Sequence, residues 1–199
     1  MQQKLSRLLM LLVVLALAAC GGAPKRVSMQ AEKPGAQTVL APVLTPEDQA
    51  RFQQAVSGIQ NGQLNEAEML LKALLQAYPS LAGALTNLGY IRQSQGQQEE
   101  AREYFEQALA INPENIGALF AMAAFDMEAG DFELAESKYL MITDRQADHA
   151  KAHYNLGVLY ELYLQRYDDA IVHYESYVRL AETDDVKTVE RWIKLLERK

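Results

Sequence analysis

The sequence predicts an all-α fold, a solenoid of stacked helical hairpins, and three spacings carry that prediction. Gly62, Gly96 and Gly130 stand 34 residues apart, Ala67, Ala101 and Ala135 repeat the interval, and so do Leu71, Phe105 and Tyr139. A fixed period in this range marks a supersecondary unit that buries its apolar face against the next copy of itself, rather than a globular catalytic domain. Pro79 and Pro113 close two of the units.

The first element opens at Thr45, Pro46, Glu47 and Asp48, with Thr placed to cap, Pro in the first turn and acids near the positive end of the helix dipole. Paired helices follow over 46–60 and 64–77, 81–95 and 97–111, 115–129 and 131–144, and 148–163 and 167–181. Each glycine of the 34-residue series falls between the helices of a pair, where a left-handed residue ends the first helix and glycine enters without strain. The pairs make four units, about 48–81, 82–115, 116–149 and 150–183, within a region 46–183. A last helix in 184–199 places Val186, Val189, Ile193 and Leu196 on one stripe with Trp192 alongside, and Lys187, Arg191, Lys194 and Arg198 outside. Such a helix caps the apolar end that an open solenoid exposes to water.

These units resemble tetratricopeptide repeats, most fully in the second. There Leu88 and Gly89 form a small waist, Gly96 the turn, Ala101 the close helix contact, Phe105 and Ala108 the packing between repeats, and Pro113 the exit. The third keeps Met122, Ala123, Gly130, Ala135, Tyr139 and Ile142, with Ala147 where the proline would be; the first keeps Ala55, Gly62, Ala67, Leu71 and Pro79. In the fourth, Leu156, Gly157, Tyr160, Ala170 and Tyr174 match, but waist and contact alanine are 13 residues apart rather than 12 and no glycine marks the turn, which places an inserted residue near Leu164 to Arg166. The resemblance implies a right-handed superhelix whose concave groove is lined by the first helix of each pair.

Carried onto this sequence, the groove positions are Phe52, Val56 and Ile59, then Thr86, Asn87, Tyr90 and Gln93, then Phe120, Ala124 and Met127, and finally Tyr154, Asn155, Val158 and Glu161. This is an aromatic and apolar surface with scattered amides, suited to an extended protein segment. Lys151 alone supplies a cation there, too few for a carboxylate clamp of the chaperone type. Around the inserted turn, Tyr160, Leu162, Tyr163, Leu164 and Tyr167 either pack against the terminal helix or form a second partner patch.

The chain begins with Lys4 and Arg7 and an apolar run from Leu8 to Ala19, too short for a comfortable membrane span and fit for a signal peptide over 1–19. Leu17, Ala18, Ala19 and Cys20 resemble the bacterial lipobox, which implies acylation of Cys20. Cys20 is the one cysteine, so no internal disulfide forms. Several acyl chains make an effectively permanent anchor. Gly21 and Gly22, by the sorting preference of such lipoproteins, imply the periplasmic face of the outer membrane. Residues 20–45 hold Pro24, Pro34 and Pro42 without helical or strand period and read as a tether, its stretch Val39 to Leu44 either linker or docked on the first helices.

Removal of 1–19 leaves 17 of the 19 Lys and Arg against all 26 Asp and Glu, taking the net charge from −7 to −9. Without a basic cluster, nucleic acid is not an expected partner. No catalytic constellation is expected either: the chain has no Gly-x-Ser-x-Gly elbow, phosphate loop or dinucleotide fingerprint. His149 and His153, four apart beside Asp148, are read as helix-face residues rather than metal ligands, and His173 likewise. Glu99 with Glu100 and Asp168 with Asp169 sit in first turns, where the dipole accounts for them. No cofactor and no enzyme activity are expected.

The expected function is a lipid-anchored periplasmic scaffold that holds an envelope protein in its groove. Short lipoproteins of this build resemble the pilotins of type IV pilus secretins, and also accessory proteins of β-barrel assembly, peptidoglycan enzymes and TonB-type systems. Rival readings are a groove for a small molecule or glycan and end-to-end self-assembly, against which the terminal helix argues.

Overall fold

A computed structural model describes residues 41–182 and 186–198, all within the unit Gln37–Lys199. The expected signal peptide, Cys20 and the tether up to residue 40 lie outside the described residues, as do Thr183, Asp184 and Asp185.

The described chain is helical: α1 Pro46–Gln60, α2 Leu64–Ala77, α3 Ala82–Ser94, α4 Gln98–Ile111, α5 Ile116–Ala129, α6 Phe132–Arg145, α7 Ala150–Val158 continued by a π-helical turn Leu159–Tyr163, α8 Tyr167–Leu180 and α9 Val186–Leu196. Thr45 caps α1, its hydroxyl accepting from the Asp48 amide at 3.2 Å, and Asn115 caps α5 by accepting from the Ala118 amide at 3.0 Å. Consecutive helices pack on one another along the chain, giving four antiparallel hairpins in a superhelical stack with α9 laid on α8. None of the described helices is long and apolar enough to cross a membrane.

In the second and fourth hairpins the two helices approach at a glycine facing a large ring, Gly89 under Phe105 and Gly157 under Tyr174. A Cβ built on Gly89 would lie 2.6 to 2.9 Å from ring atoms of Phe105, so only glycine fits beneath that ring. The interior then runs as three clusters that straddle the joints between hairpins. Ala55, Leu71, Leu88 and Ile91 join the first two. Leu85, Phe105, Met122 and Phe125 join the next two. Tyr139, Ile142, Leu156, Leu159 and Tyr174 join the last two and take up Val189 and Leu196 of α9. The terminal helix thus covers the end of the stack with its apolar face.

The fourth hairpin departs from the expected position of its extra residue. The insertion is absorbed not at Leu164 to Arg166 but within the π-helical turn Leu159–Tyr163, where the Leu164 amide reaches back to the Leu159 carbonyl at 3.0 Å. Widening one turn adds a residue without breaking the helix. Gln165 then takes the place of the turn glycines, with φ 53° beside 76°, 77° and 84° at Gly62, Gly96 and Gly130. Among the tyrosines of this region, Tyr160 is buried and donates to Glu136 Oε1 at 2.7 Å, Tyr163 lies over Phe132 with ring centroids 4.5 Å apart, and Leu162 is 62% exposed.

Ion pairs tie the hairpins along the outside. Glu68 of α2 holds Arg92 of α3 at 2.5 Å while Arg92 also faces Glu100 at 3.0 Å. Asp126 of α5, itself buried, takes Lys138 of α6 at 2.5 Å. Glu114 pairs with Arg145, and Arg166 sits between Glu136 and Asp169 at 2.7 and 2.6 Å. The Arg92 and Lys138 pairs, shielded from water, do more for register than the exposed ones, which salt screens.

Candidate functional site

The residues assigned to the groove stand on α1, α3, α5 and α7 and its π turn, and Phe52, Val56, Ile59, Asn87, Tyr90, Phe120, Met127, Tyr154, Asn155 and Val158 are all half-buried. Several spend their polar ends on the scaffold. Asn87 Nδ2 donates to the Gly83 carbonyl at 2.8 Å, one turn back on its own helix. The Tyr90 hydroxyl donates to the Gly117 carbonyl at 2.8 Å, tying α3 to the start of α5. Asn155 Nδ2 donates to the Tyr139 hydroxyl at 2.9 Å. Burial of that phenol outweighs the hydrogen bond and pushes its pKa up to about 12, so it stays a neutral acceptor. Phe52 lies over Gly83, where an added Cβ would stand 3.3 Å from the ring tip, and with Ile59 it packs against the first core cluster. One groove assignment, Thr86, is corrected, and Glu161 is half-buried and held by the scaffold. Thr86 is buried, its hydroxyl donating to the Ala82 carbonyl at 3.0 Å, and Glu161 accepts from the Tyr174 hydroxyl at 2.8 Å.

What the fold does bring together lies at the C-terminal end of the groove. A cavity of about 500 Å³ is lined by Phe120 from α5, Lys151, Tyr154 and Asn155 from α7, Tyr177 from α8, and Thr188, Val189 and Trp192 from α9. Tyr154 is its centre, with ring centroids 5.1 Å from Tyr177 and 6.4 Å from Trp192. Phe120 is held from behind by an edge-on contact with Tyr139 at 5.7 Å and by His149 at 5.4 Å. The floor and walls are therefore aromatic and apolar, and an ammonium, an amide and a hydroxyl stand among them. That combination takes a bulky apolar or aromatic group with a polar or negatively charged neighbour.

Phe120, Tyr154 and Asn155 belong to the groove as read from sequence; Tyr177, Thr188, Val189 and Trp192 do not. Their placement depends on how α8 and α9 dock, and the signal available in the sequence is Trp192, on a helix whose apolar stripe is complete without it. The other groove residues, Phe52, Val56, Ile59, Asn87, Tyr90, Met127 and Val158, lie outside this cavity.

The histidines take different partners. His149 caps α7, its Nδ1 accepting from the Ala152 amide at 3.0 Å. His153 instead meets His173 of α8, Nδ1 to Nδ1 at 2.9 Å, while its Nε2 faces the Ala147 carbonyl at 3.1 Å. A carbonyl accepts only, so His153 carries its proton on Nε2 when neutral and His173 donates to it. Burial first and the neighbouring His153 second hold the His173 pKa down to about 4. Among the described residues no group of three or more His, Cys, Asp or Glu is placed to hold a metal ion.

Comparison with known proteins agrees with the repeat reading. Tetratricopeptide repeat models match residues 82–115 and 123–185. A CTR9 homolog of Arabidopsis thaliana is 33% identical over 79 residues, covering 39% of this chain and 7% of that protein. The human superkiller complex protein 3 is 32% identical over 113 residues, covering 57% of this chain and 7% of that protein. This chain thus spans only 7% of the length of either relative. Among solved structures, a tetratricopeptide repeat protein from Parabacteroides merdae superposes with a TM-score of 0.58 at 25% identity, over 77% of this chain and 61% of that one. Pseudomonas aeruginosa pilF does so with a TM-score of 0.65 at 23% identity, over 76% and 69%. At that identity the second is a likeness of fold.

Proposed function

We propose that this chain of tetratricopeptide repeats is a protein-binding scaffold whose groove, and above all the aromatic cavity at its C-terminal end, seats a segment of a partner. The single observation that carries the reading is that cavity: four aromatic residues from four different helices converge on about 500 Å³, with a cation, an amide and a hydroxyl at its edge. Large rigid aromatic surfaces give contact area at little entropic cost, which is how a few residues come to dominate a protein interface.

The finer proposal places the scaffold on the periplasmic face of the outer membrane. Its support is the lipobox-like run ending at Cys20 and the tether that follows. In that place the natural partner is an envelope protein, and assembly of a pilus secretin is the first candidate, with β-barrel, peptidoglycan and TonB-type machines behind it. Two variants test the proposal in cells. Cys20→Ser should move the protein from membranes to the soluble fraction, and continued membrane retention contradicts the anchor. Tyr154→Ala in the anchored protein should lose the partner that co-purifies with the parent chain; an undiminished partner contradicts the cavity.

A further inference from the structure

The helix that closes the cavity also carries a stripe of positive charge. Lys187, Arg191 and Lys194 are exposed on α9, and at 3.6 residues per turn they fall within a sector of about 60° opposite Val189 and Leu196, with exposed Arg198 in the turn just past the helix end. None of the four pairs with a described carboxylate, whereas Arg51, Lys72, Arg92, Lys138, Arg145 and Arg166 of the repeats all do. Glu190 and Glu197 lie to one side of the stripe. On a chain of net charge −7 this is a local concentration of positive charge, and it adjoins the cavity. Arg191 Nη2 donates to Thr188 Oγ1 at 3.0 Å, and Thr188 lines the cavity, with Lys151 on its α7 wall.

We infer that the segment bound in the cavity has a large apolar or aromatic anchor residue followed by a run of acidic residues. The anchor enters between Tyr154, Tyr177 and Trp192, and the acids lie along Lys187, Arg191, Lys194 and Arg198. The inference rests on the groove reading above and names the chemistry of its partner. From Lys187 to Arg198 the stripe is about 16 Å long at 1.5 Å per residue, the reach of about five extended residues. A lipid surface fits less well. The apolar face of α9 is occupied by α8 and the core, which leaves Leu195 as its one exposed large apolar side chain among the described residues, too little to insert, and the acidic body is repelled by an anionic bilayer.

The test uses the full-length chain in neutral detergent and a fluorescein-labelled peptide with one Trp followed by five Asp and Glu. Its controls are a peptide with Asn and Gln in place of the acids and one with Lys. The acidic peptide should bind, more weakly as salt rises, and the amide peptide should bind about tenfold less tightly. Lys187→Glu, Arg191→Glu and Lys194→Glu together should weaken the acidic peptide by at least about tenfold, leave the melting temperature unchanged, and transfer preference to the Lys peptide. Equal binding of acidic and amide peptides, or indifference to the triple reversal, overturns the inference. So does flotation with phosphatidylglycerol vesicles that needs the same three cations while the acidic peptide fails to bind. A partner captured in cells through Tyr154 whose binding ignores the stripe leaves the groove standing and removes this inference alone. Failure to capture any partner from the groove removes both.

Discussion

Gly157 of α7 lies against the ring of Tyr174 of α8 so closely that a Cβ on the glycine would come within 2.9 Å of Cγ and closer still to Cδ1 and Cε1. Gly89 and Phe105 stand in the same relation two hairpins earlier. In the third hairpin the waist is Ala123 and its ring partner Tyr139, both buried, so the fold tolerates a methyl there where the backbones are set for it. The waist therefore sets how near the two helices of a hairpin come, and with that the curvature of the groove.

Gly89→Ala should destabilise. Alanine improves helix propensity by about 1 kcal/mol. The clash with Phe105 is backed by core on every side and costs about 1 to 3 kcal/mol. A net loss of about 1 kcal/mol is expected in chemical denaturation. A gain would mean that the helices separate freely.

Gly58→Ala should do the reverse. Its added Cβ would sit 3.4 Å from the Ala67 Cβ and 3.6 Å from the Gln63 carbonyl, which is ordinary contact. With no clash to offset, the propensity gain of about 0.5 to 1 kcal/mol should appear as a higher melting temperature. Two identical substitutions of opposite sign in one fold test the packing directly.

Gln165→Gly should also stabilise, by about 1 kcal/mol, because Gln165 holds φ 53° where the equivalent turns use glycine. Gly96→Ala, at φ 77°, should lose a similar amount, and thermal melts of both variants check the pair.

The His153 and His173 contact should make stability depend on pH. The folded pKa of His173, about 4, lies below the unfolded value near 6.5, so the unfolded chain binds the proton more readily between them. Stability is then complete above about pH 6.5, falls as the pH drops toward 4, and levels off below. His149, whose pKa burial also lowers, acts in the same direction. Because His173 is only partly shielded, the fall it causes is of order 1 kcal/mol, and His173→Gln should flatten the curve of melting temperature against pH.

How far the structure is legible in the sequence varies with the physics. The hairpins are, because the 34-residue period exposes the turn glycines and waist residues directly. The fourth turn is legible only in part: the 13-residue spacing from Gly157 to Ala170 reveals an insertion, but its place in a widened helical turn and the left-handed glutamine that follows leave no mark in residue type. The groove is half legible. Its α5 and α7 residues follow from repeat register, but Asn87 and Asn155 turn their donors inward, and Tyr177, Thr188 and Trp192 reach the cavity through docking of α8 and α9, a long-range matter that local pattern does not encode.

Photo-crosslinking in living cells from Phe120 and Tyr154 tests the cavity most directly, with Tyr90 farther along the groove and Met69, 68% exposed on α2, as reference positions. If the cavity seats a partner, one recurrent protein is captured from Phe120 and Tyr154 and not from Met69. Capture from Met69 with nothing from the cavity positions would contradict that role.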